Sequence, residues 1–506
     1  MQNSKLKQAM PTIIAIGFFL SQIPGLTRYP FMHSDESWLS GLTRMMMESN
    51  SLRVTEPFFD LYPRNPHAIK STYHLLQALF IQVFGYELFS IRMMSLIFGC
   101  ASLYIFYRIL EKTGLSWAWA SLGTLILAAQ PDFIYASHFA RQEIVVSFFL
   151  LFASWMWLNK KRKLSLLGLF IALGLHPNAY LGVFALLCSG TAFNWSQKEA
   201  RHQLIKMISW LAGITGFYVL ASFWMNPNFI TDYLAYGSSL GVTADVGGKF
   251  LGFFMFFKKL WLGISGTYYL PPLRLALSLI AIGLPVSLWL GIRKKQNIFL
   301  ALAIHQLAWC LGIFIVGRYN ATSVFFLLPA ACLIFIIFIE KYIPQIPAWI
   351  LTAGLIVVFS VTSMGEITQL PKNHYENYLN KIQAVLPADA VVLANLNTEF
   401  LFEAGQLYDY RNLAYLDPEV NRLESYLMER GISHILYADE LDFIHRNPQP
   451  WQVLYGPDES WYTDMQSFLA ENCQEIATLP APIYGNRIVP FLNDPFWQLH
   501  IYQIKK

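Results

Sequence analysis

Two carboxylates, Asp35 and Glu36, stand side by side in the stretch Met32-His33-Ser34-Asp35-Glu36-Ser37-Trp38, just beyond the first long apolar run, which ends near Leu26. A carboxylate held where a membrane helix has emerged into water can act as a general base on a hydroxyl or amine. The same pair also suits the first turn of a helix, where acids favour the macrodipole and a preceding Ser can cap. The two readings are compatible. Asp35 is the stronger choice for the base, and Glu36 the more replaceable partner.

The cations and polar breaks that could serve such a base are scattered along the chain. Arg92 lies near the start of an apolar run, where it must pair with Asp35, Glu36 or a lipid phosphate, or snorkel to the interface. Arg141 and Glu143 flank a turn between two apolar runs, as a local ion pair or as substrate contacts. His176-Pro177-Asn178 interrupts a long apolar stretch; Pro177 removes a backbone donor, so helix ends are exposed there and His176 can meet a phosphate or close the kink. Arg318-Tyr319 puts a guanidinium, a bidentate phosphate ligand, at the end of another run. Lys70 is a further phosphate candidate. No metal site is expected: His67, His74 and Asp60 match no metal-ligand spacing, and the five cysteines form no CxxC pair. A divalent cation is possible but not indicated, and no cofactor is required.

The elements that must position these groups are membrane spans. The sequence is 55% hydrophobic and 13% charged, half the charge of an ordinary soluble protein. Apolar runs long enough to cross a bilayer fall at about 10–26, 88–110, 117–137, 142–158, 164–192 (two short helices meeting at His176), 205–224, 273–292, 298–317, 321–340 and 346–364, giving about eleven spans. The run 70–86 is too short to span comfortably and reads as a surface-lying helix ended by Gly85. Lysines and arginines cluster in short loops on one side, including Lys160-Lys161-Arg162-Lys163 and Arg293-Lys294-Lys295, which makes that side and the N-terminus cytoplasmic. The outer side then collects a long loop at 27–87 with Asp35 and Glu36, the Arg141 turn, the His176 break, a long loop at 225–272, and Arg318. A transporter would place such groups near the midplane within repeated halves, and no repeat is visible.

Beyond about Gly365 acids outnumber bases and the pattern changes. Ala390–Ala394 and His434–Tyr437 read as buried strands, and 421–430 as a helix capped by Gly431. The expected division is 1–365 for a transmembrane domain and 366–506 for a small extracytoplasmic α/β domain.

HSDESW resembles the Asp-Glu motif in the first outer loop of the GT-C glycosyltransferases, in the branch of the protein O-mannosyltransferases and the lipid A aminoarabinose transferases (glycosyltransferase family 39-like). FGYELFSIRMMSLIFG is similar to that branch's segment opening the second span, PDFIYASHFARQEIVVSFFLLFA to its third-to-fourth span segment, and GLFIALGLHPNAYLG to its fifth-to-sixth. The matches run in order through about residues 10–225. The resemblance implies a mainly α, polytopic helical bundle of GT-C type that moves a sugar, with inversion, from a polyprenyl-phosphate donor to a glycan, lipid or protein acceptor. Asp35 would deprotonate the acceptor, Glu36 and Glu143 would support it, and Arg92 would stabilise the acids or the donor phosphate. His176 stands where much of the branch has a lysine. The expected setting is the outer face of a bacterial inner membrane. A polysaccharide polymerase or ligase, and a non-enzymatic lipid-linked glycan transporter, are the rival readings.

Overall fold

The computed structural model describes the chain apart from Met1 and residues 195–197, 240–241, 243–244, 370–373, 418–422, 457–460, 482, 486, 489–496 and 506. The first part is helical: α1 Gln2–Gln22, α2 Ser34–Glu48, α3 Ser71–Phe84, α4 Leu88–Lys112, α5 Trp117–Ala129, α6 Pro131–His138, α7 Gln142–Leu158, α8 Arg162–Leu173, α9 Asn178–Asn194, α10 Lys198–Met225, α11 Phe229–Ser239, α12 Val246–Leu262, α13 Arg274–Arg293, α14 Asn297–Val316, α15 Leu328–Tyr342 and α16 Gln345–Gln369. Among the described residues seven helices are long and apolar enough to cross a membrane, or eight if the bent pair α6–α7 counts as one span. The chain is thus a multi-pass membrane protein. The count falls short of the eleven expected, because the run 117–137 breaks at Gln130 before Pro131, and α5 and α9 are apolar but short. On α16, Ile350, Val357, Val361 and Met364 are exposed on one stripe, the lipid-facing side of a span.

Two segments differ from a plain bundle. Helix α3 has 14 residues, about 21 Å at 1.5 Å per residue, too short to cross. Its Leu75, Leu79 and Val83 recur every four residues and are exposed, while Tyr73, His74, Gln77 and Ile81 are buried. That is the face pattern of a helix lying in the interface. The stretch 225–272 is not a loop: it holds α11 and α12, and α12 exposes Phe250, Leu251, Phe254 and Trp261. Its Lys249, Lys258 and Lys259 lower the average hydropathy and hide the helix from a span search. Asp245 starts it, accepting from the N–H groups of Gly247 and Gly248 at 3.1 and 3.2 Å.

Helix α16 continues to Gln369, past the predicted boundary at 365. Helix α17, Tyr375–Gln383, follows, and then a five-stranded sheet in the order β2-β1-β3-β5-β4. Strand β1 (Val392–Ala394) runs parallel to β2 (Leu407–Asp409) and β3 (His434–Ala438), while β5 (Gln498–Ile504) runs antiparallel to β3 and to β4 (Cys473–Pro480). The predicted helix 421–430 is Leu423–Glu429 with Gly431 at φ +63°; residues 421–422 lie outside the described residues. β1 and β3 are buried along their whole length, as strands covered on both faces must be. Leu393, Ile435 and Tyr437 face a core with Leu427, Trp461 and Met465. Val392, Ala394 and Leu436 face the other way, into a core shared with Met32, Phe58 and Ile91 of the membrane part. The C-terminal domain therefore packs directly on the stretch that carries Asp35.

Candidate active site

Helix α2 opens at His33, whose Nδ1 accepts from the N–H of Asp35 at 3.0 Å, while the N–H of His33 donates to Glu36 Oε2 at 3.0 Å. This is a reciprocal capping box. Glu36 also accepts from Arg92 Nε and Nη2, both at 2.7 Å, and from the N–H of Ala140 at 3.0 Å. Arg92 Nη1 donates to the carbonyls of Leu26 and Pro30 at 3.0 and 2.8 Å. Neither side chain has any exposure. The expectations that Glu36 is catalytic and that Arg92 binds substrate are therefore corrected. The pair is a buried tie joining the end of α1, the start of α2, α4 and the α6–α7 turn, and its donors and acceptors are spent inside the protein.

Asp35, one residue earlier, turns the other way and keeps 21% side-chain exposure. Its Oδ2 accepts from Arg141 Nη1 at 2.9 Å and from the Tyr268 hydroxyl, while Oδ1 has only His33 Nδ1 at 3.7 Å, beyond hydrogen-bond reach. Burial alone would raise its pKa, but Arg141, then His33 and the Tyr268 hydroxyl, hold it well below the usual carboxylate range. Asp35 is thus ionised, with one oxygen fixed and one free. His33 stacks on the Tyr268 ring at 4.6 Å and joins Thr267 O at 2.8 Å through Nε2. Burial pushes its imidazole down to about 4, against the pull of Asp35, so it is neutral at pH 7.

Arg141 reaches Glu143 with its other terminal nitrogen at 3.1 Å, and Glu143 Oε1 accepts from the Thr322 hydroxyl at 2.7 Å. One guanidinium thus bridges the two acids expected to act together, and it occupies the space between them that a bridging cation would need. Among the described residues no group of three His, Cys, Asp or Glu side chains is arranged to hold a metal ion. The arrangement does not fit a metal shared by Asp35 and Glu143 while Arg141 stays in place.

Lys70 ends the short 3-10 turn Ala68–Lys70 that leads from His67 into α3. Burial first, then Arg64 and Arg318, with Arg141 further down, push its ammonium to about 8, against the pull of Glu56. Glu56 is already held by Arg64 at 2.8 and 3.1 Å and by the Trp38 indole N–H at 2.5 Å. Neither Lys70 nor Arg318 has a hydrogen bond or ion pair among the described residues, and Arg318 is exposed. His176 lies within electrostatic reach of Lys70, Arg141 and Arg318. Its Nδ1 accepts from the N–H of Asn178 at 3.0 Å at the start of α9, so it closes the break. Tyr319, expected to bind substrate, instead donates its hydroxyl to Lys249 O at 2.5 Å and packs on Phe256, and a Cβ on Gly252 would lie 2.6 Å from its ring. It is a post for α12, and its substrate-binding role is corrected.

Five predicted groups are thus linked: Arg141 holds Asp35, and Lys70, His176 and Arg318 lie within electrostatic reach of one another, Lys70 and His176 also of Arg141, whose other terminal nitrogen meets Glu143. Tyr268 and His33 were missed. His33 sits inside the motif and is signalled by its place before a carboxylate-rich helix start; Tyr268 carries no signal among 26 tyrosines.

No family model and no curated protein matches the chain. Solved structures do. ArnT from Cupriavidus metallidurans, bound to undecaprenyl phosphate, is 12% identical, with a TM-score of 0.56 over 87% of this chain and 94% of its own. The archaeal oligosaccharyltransferase AglB from Archaeoglobus fulgidus, in complex with an inhibitory peptide and a dolichol-phosphate, is 11% identical, with a TM-score of 0.53 over 86% of this chain and 70% of its own. Both have the GT-C fold, and that is the fold of this chain.

Proposed function

We propose that this protein is a membrane glycosyltransferase that moves a sugar from a polyprenyl-phosphate donor to a hydroxyl of a glycan, lipid or protein at the outer face of a bacterial inner membrane, with the N-terminus cytoplasmic and the outer domain extracytoplasmic. The observation that carries the reading is a fixed, ionised carboxylate with one free oxygen, Asp35 Oδ1, held by Arg141, which also lies within electrostatic reach of Lys70, a cation that like Arg318 has no partner among the described residues. The neighbours add that undecaprenyl phosphate and dolichol-phosphate are ligands of proteins with this fold. A donor of that kind has a tail that belongs in lipid and a head that belongs at the interface.

The chemistry follows from the placement. The acceptor hydroxyl attacks the anomeric carbon and its proton passes to Asp35 Oδ1. The bond from that carbon to the phosphate oxygen breaks, and the electron pair leaves on the phosphate. Lys70 and Arg318 stabilise that developing charge, which is where preorganised cations lower a barrier most. Arg141 and Tyr268 hold Asp35 in place through Oδ2. The experiment is binding of undecaprenyl phosphate to the purified chain, together with mass spectrometry of lipid extracts from a deletion strain. The expectation is binding that weakens at least tenfold in the Lys70→Ala/Arg318→Ala double variant, and a polyprenyl-phosphate sugar that accumulates in the deletion strain. Undiminished binding in the double variant, with no accumulating lipid, would reject the proposal.

A further inference from the structure

The outer domain contributes two arginines that the transfer step above does not use. Arg411 starts the turn after β2 and is 4% exposed. Its Nε lies 3.3 Å from Asp409 Oδ1 without hydrogen-bond geometry, and Nη1 and Nη2 are buried with no hydrogen-bond partner among the described residues. Beside that ion pair, rings hold it: its guanidinium carbon sits 4.5 Å over Trp38 and 5.2 Å over Phe59. Stacking on a ring face leaves the in-plane donors of a guanidinium free, unlike a carboxylate clamp, which consumes them. Trp38 is itself fixed by its bond to Glu56, and it stands one turn after Asp35, on the same side of α2.

Arg487 is the second. It is 9% exposed, its Nε has no partner among the described residues, and Nη1 reaches Leu454 O at 3.3 Å. Its backbone N–H, not its side chain, donates to Glu440. The field of Arg487 reaches Asp35, His33 and Arg411, so the two arginines lie within electrostatic reach of one another, and Arg487 also of the base. The strap that holds this group in place is specific. Asp409 N–H donates to Phe58 O at 3.1 Å, and Asn412 Oδ1 accepts from the N–H groups of Leu61 and Tyr62 at 3.3 and 3.1 Å.

We propose that Arg411 and Arg487 form a subsite for an anionic substituent, carboxylate or phosphate, on the acceptor saccharide. This rests on the glycosyl-transfer reading for the word acceptor. Inverting displacement puts the acceptor on the face of the sugar opposite the leaving phosphate. Lys70 and Arg318 serve the phosphate side, and Arg141 is committed to two carboxylates. An anionic acceptor approaching Asp35 would be repelled by it, and the outer-domain arginines are the cations placed to offset that repulsion. The nucleophile remains a hydroxyl, since a base is provided for it; the anion is a handle.

The test uses the full chain purified in detergent, with three soluble probes: cellobiose, cellobiouronic acid and glucosamine 1-phosphate. Tryptophan fluorescence and calorimetry read binding, with and without saturating undecaprenyl phosphate. The expected result is that at least one acidic probe binds tenfold or more tighter than cellobiose, that this preference survives undecaprenyl phosphate, and that Arg411→Gln and Arg487→Gln abolish it while binding undecaprenyl phosphate as the wild type does. Whichever acidic probe binds tells carboxylate from phosphate. Equal binding of all three probes by the wild type, displacement of the acidic probe by undecaprenyl phosphate, or loss of the preference in Lys70→Ala rather than in the outer-domain variants would each overturn the subsite. If Arg411→Gln does not fold, the wild-type comparison still decides. A wild type that fails to bind undecaprenyl phosphate overturns the donor reading instead, which keeps the two failures distinct.

Discussion

Asp35 and Glu36 are adjacent and chemically alike, so replacing each with its amide separates catalysis from architecture. In Asp35→Asn the amide oxygen can still accept from Arg141 and Tyr268, and the side chain is partly exposed, so folding changes little. What is lost is the proton acceptor, a contribution of about 10²–10⁴ in rate for a positioned general base. In Glu36→Gln one oxygen becomes an NH₂ facing the donors of Arg92, inside a fully buried pair. Breaking such a pair costs about 3–5 kcal/mol because a charge is left without its partner. With an unfolding entropy of about 2.1 cal/mol/K per residue over 506 residues, roughly 1 kcal/mol/K, that corresponds to a fall in Tm of about 3–5 °C. The assay is paired: transfer rate with a polyprenyl-phosphate sugar, and melting of the same detergent-purified preparations. The expected pattern is a slow, thermally normal Asp35→Asn and a thermally weakened Glu36→Gln that retains a measurable rate at low temperature. A Glu36→Gln protein that melts like the wild type but has no activity, or an Asp35→Asn protein with wild-type turnover, would refute the division of roles.

Undecaprenyl phosphate should bind fully below pH 8 and about tenfold more weakly by pH 9.5, because Lys70 loses its proton near 8 in the free protein and a bound phosphate favours the charged form; titration calorimetry should show proton uptake in that window. The folded pKa of Asp35 is depressed, so its ion pair stabilises the protein above the ordinary carboxylate range and that contribution is lost only as pH falls through the depressed value. Accordingly kcat should show no acidic limb from Asp35 between about pH 5 and 7, and a fall in that range would contradict its ionised state. Tyr268→Phe should lower kcat by about tenfold at unchanged donor affinity, since it removes one of the two bonds that orient Asp35; a larger effect on binding than on rate would place Tyr268 on the donor instead.

Part of the site was legible as a set of groups, and little of it as geometry. The Lys/Arg bias of short loops and the order of the apolar runs assign Asp35, Arg141, His176 and Arg318 to one face, and the structure brings Arg141 onto Asp35 and within electrostatic reach of His176. Which of two neighbouring acids faces the cavity was not legible. Successive residues on a helix differ by about 100° in direction, so Asp35 and Glu36 point apart, and only the position of Arg92 on α4 decides which is enclosed. Arg92 illustrates the limit from the other side. Composition says that an arginine in a span needs partners, which is true, but it does not say whether those partners are lipid phosphates or the protein's own carbonyls. Tyr319 was misread for the same reason: an aromatic beside an arginine at a span end suits a headgroup and suits a packing contact equally. The helices in 225–272 were obscured by lysines that make α12 amphipathic rather than apolar. The outer domain's strands were found because β1 and β3 are continuous apolar runs, whereas Arg411 and Arg487 acquire meaning only when the sheet is laid on α2.

The depressed pKa of Asp35 constrains the order of events in the transfer. A carboxylate so well stabilised is a poor base toward a resting hydroxyl, and waiting for it to remove the proton first would add to the barrier rather than lower it. The acceptor oxygen becomes acidic only as its bond to the anomeric carbon forms, and at that stage a weak, fixed base suffices. Bond formation must then be well advanced before the proton moves, and departure of the phosphate must be assisted early. That assistance is what Lys70 and Arg318 supply on one side, while Arg141 keeps Asp35 ionised on the other. The two features that look opposed, a base made weaker by its neighbours and two cations with no partner among the described residues, are the two halves of the proposed mechanism, in which the leaving group departs first and the base collects the proton afterwards.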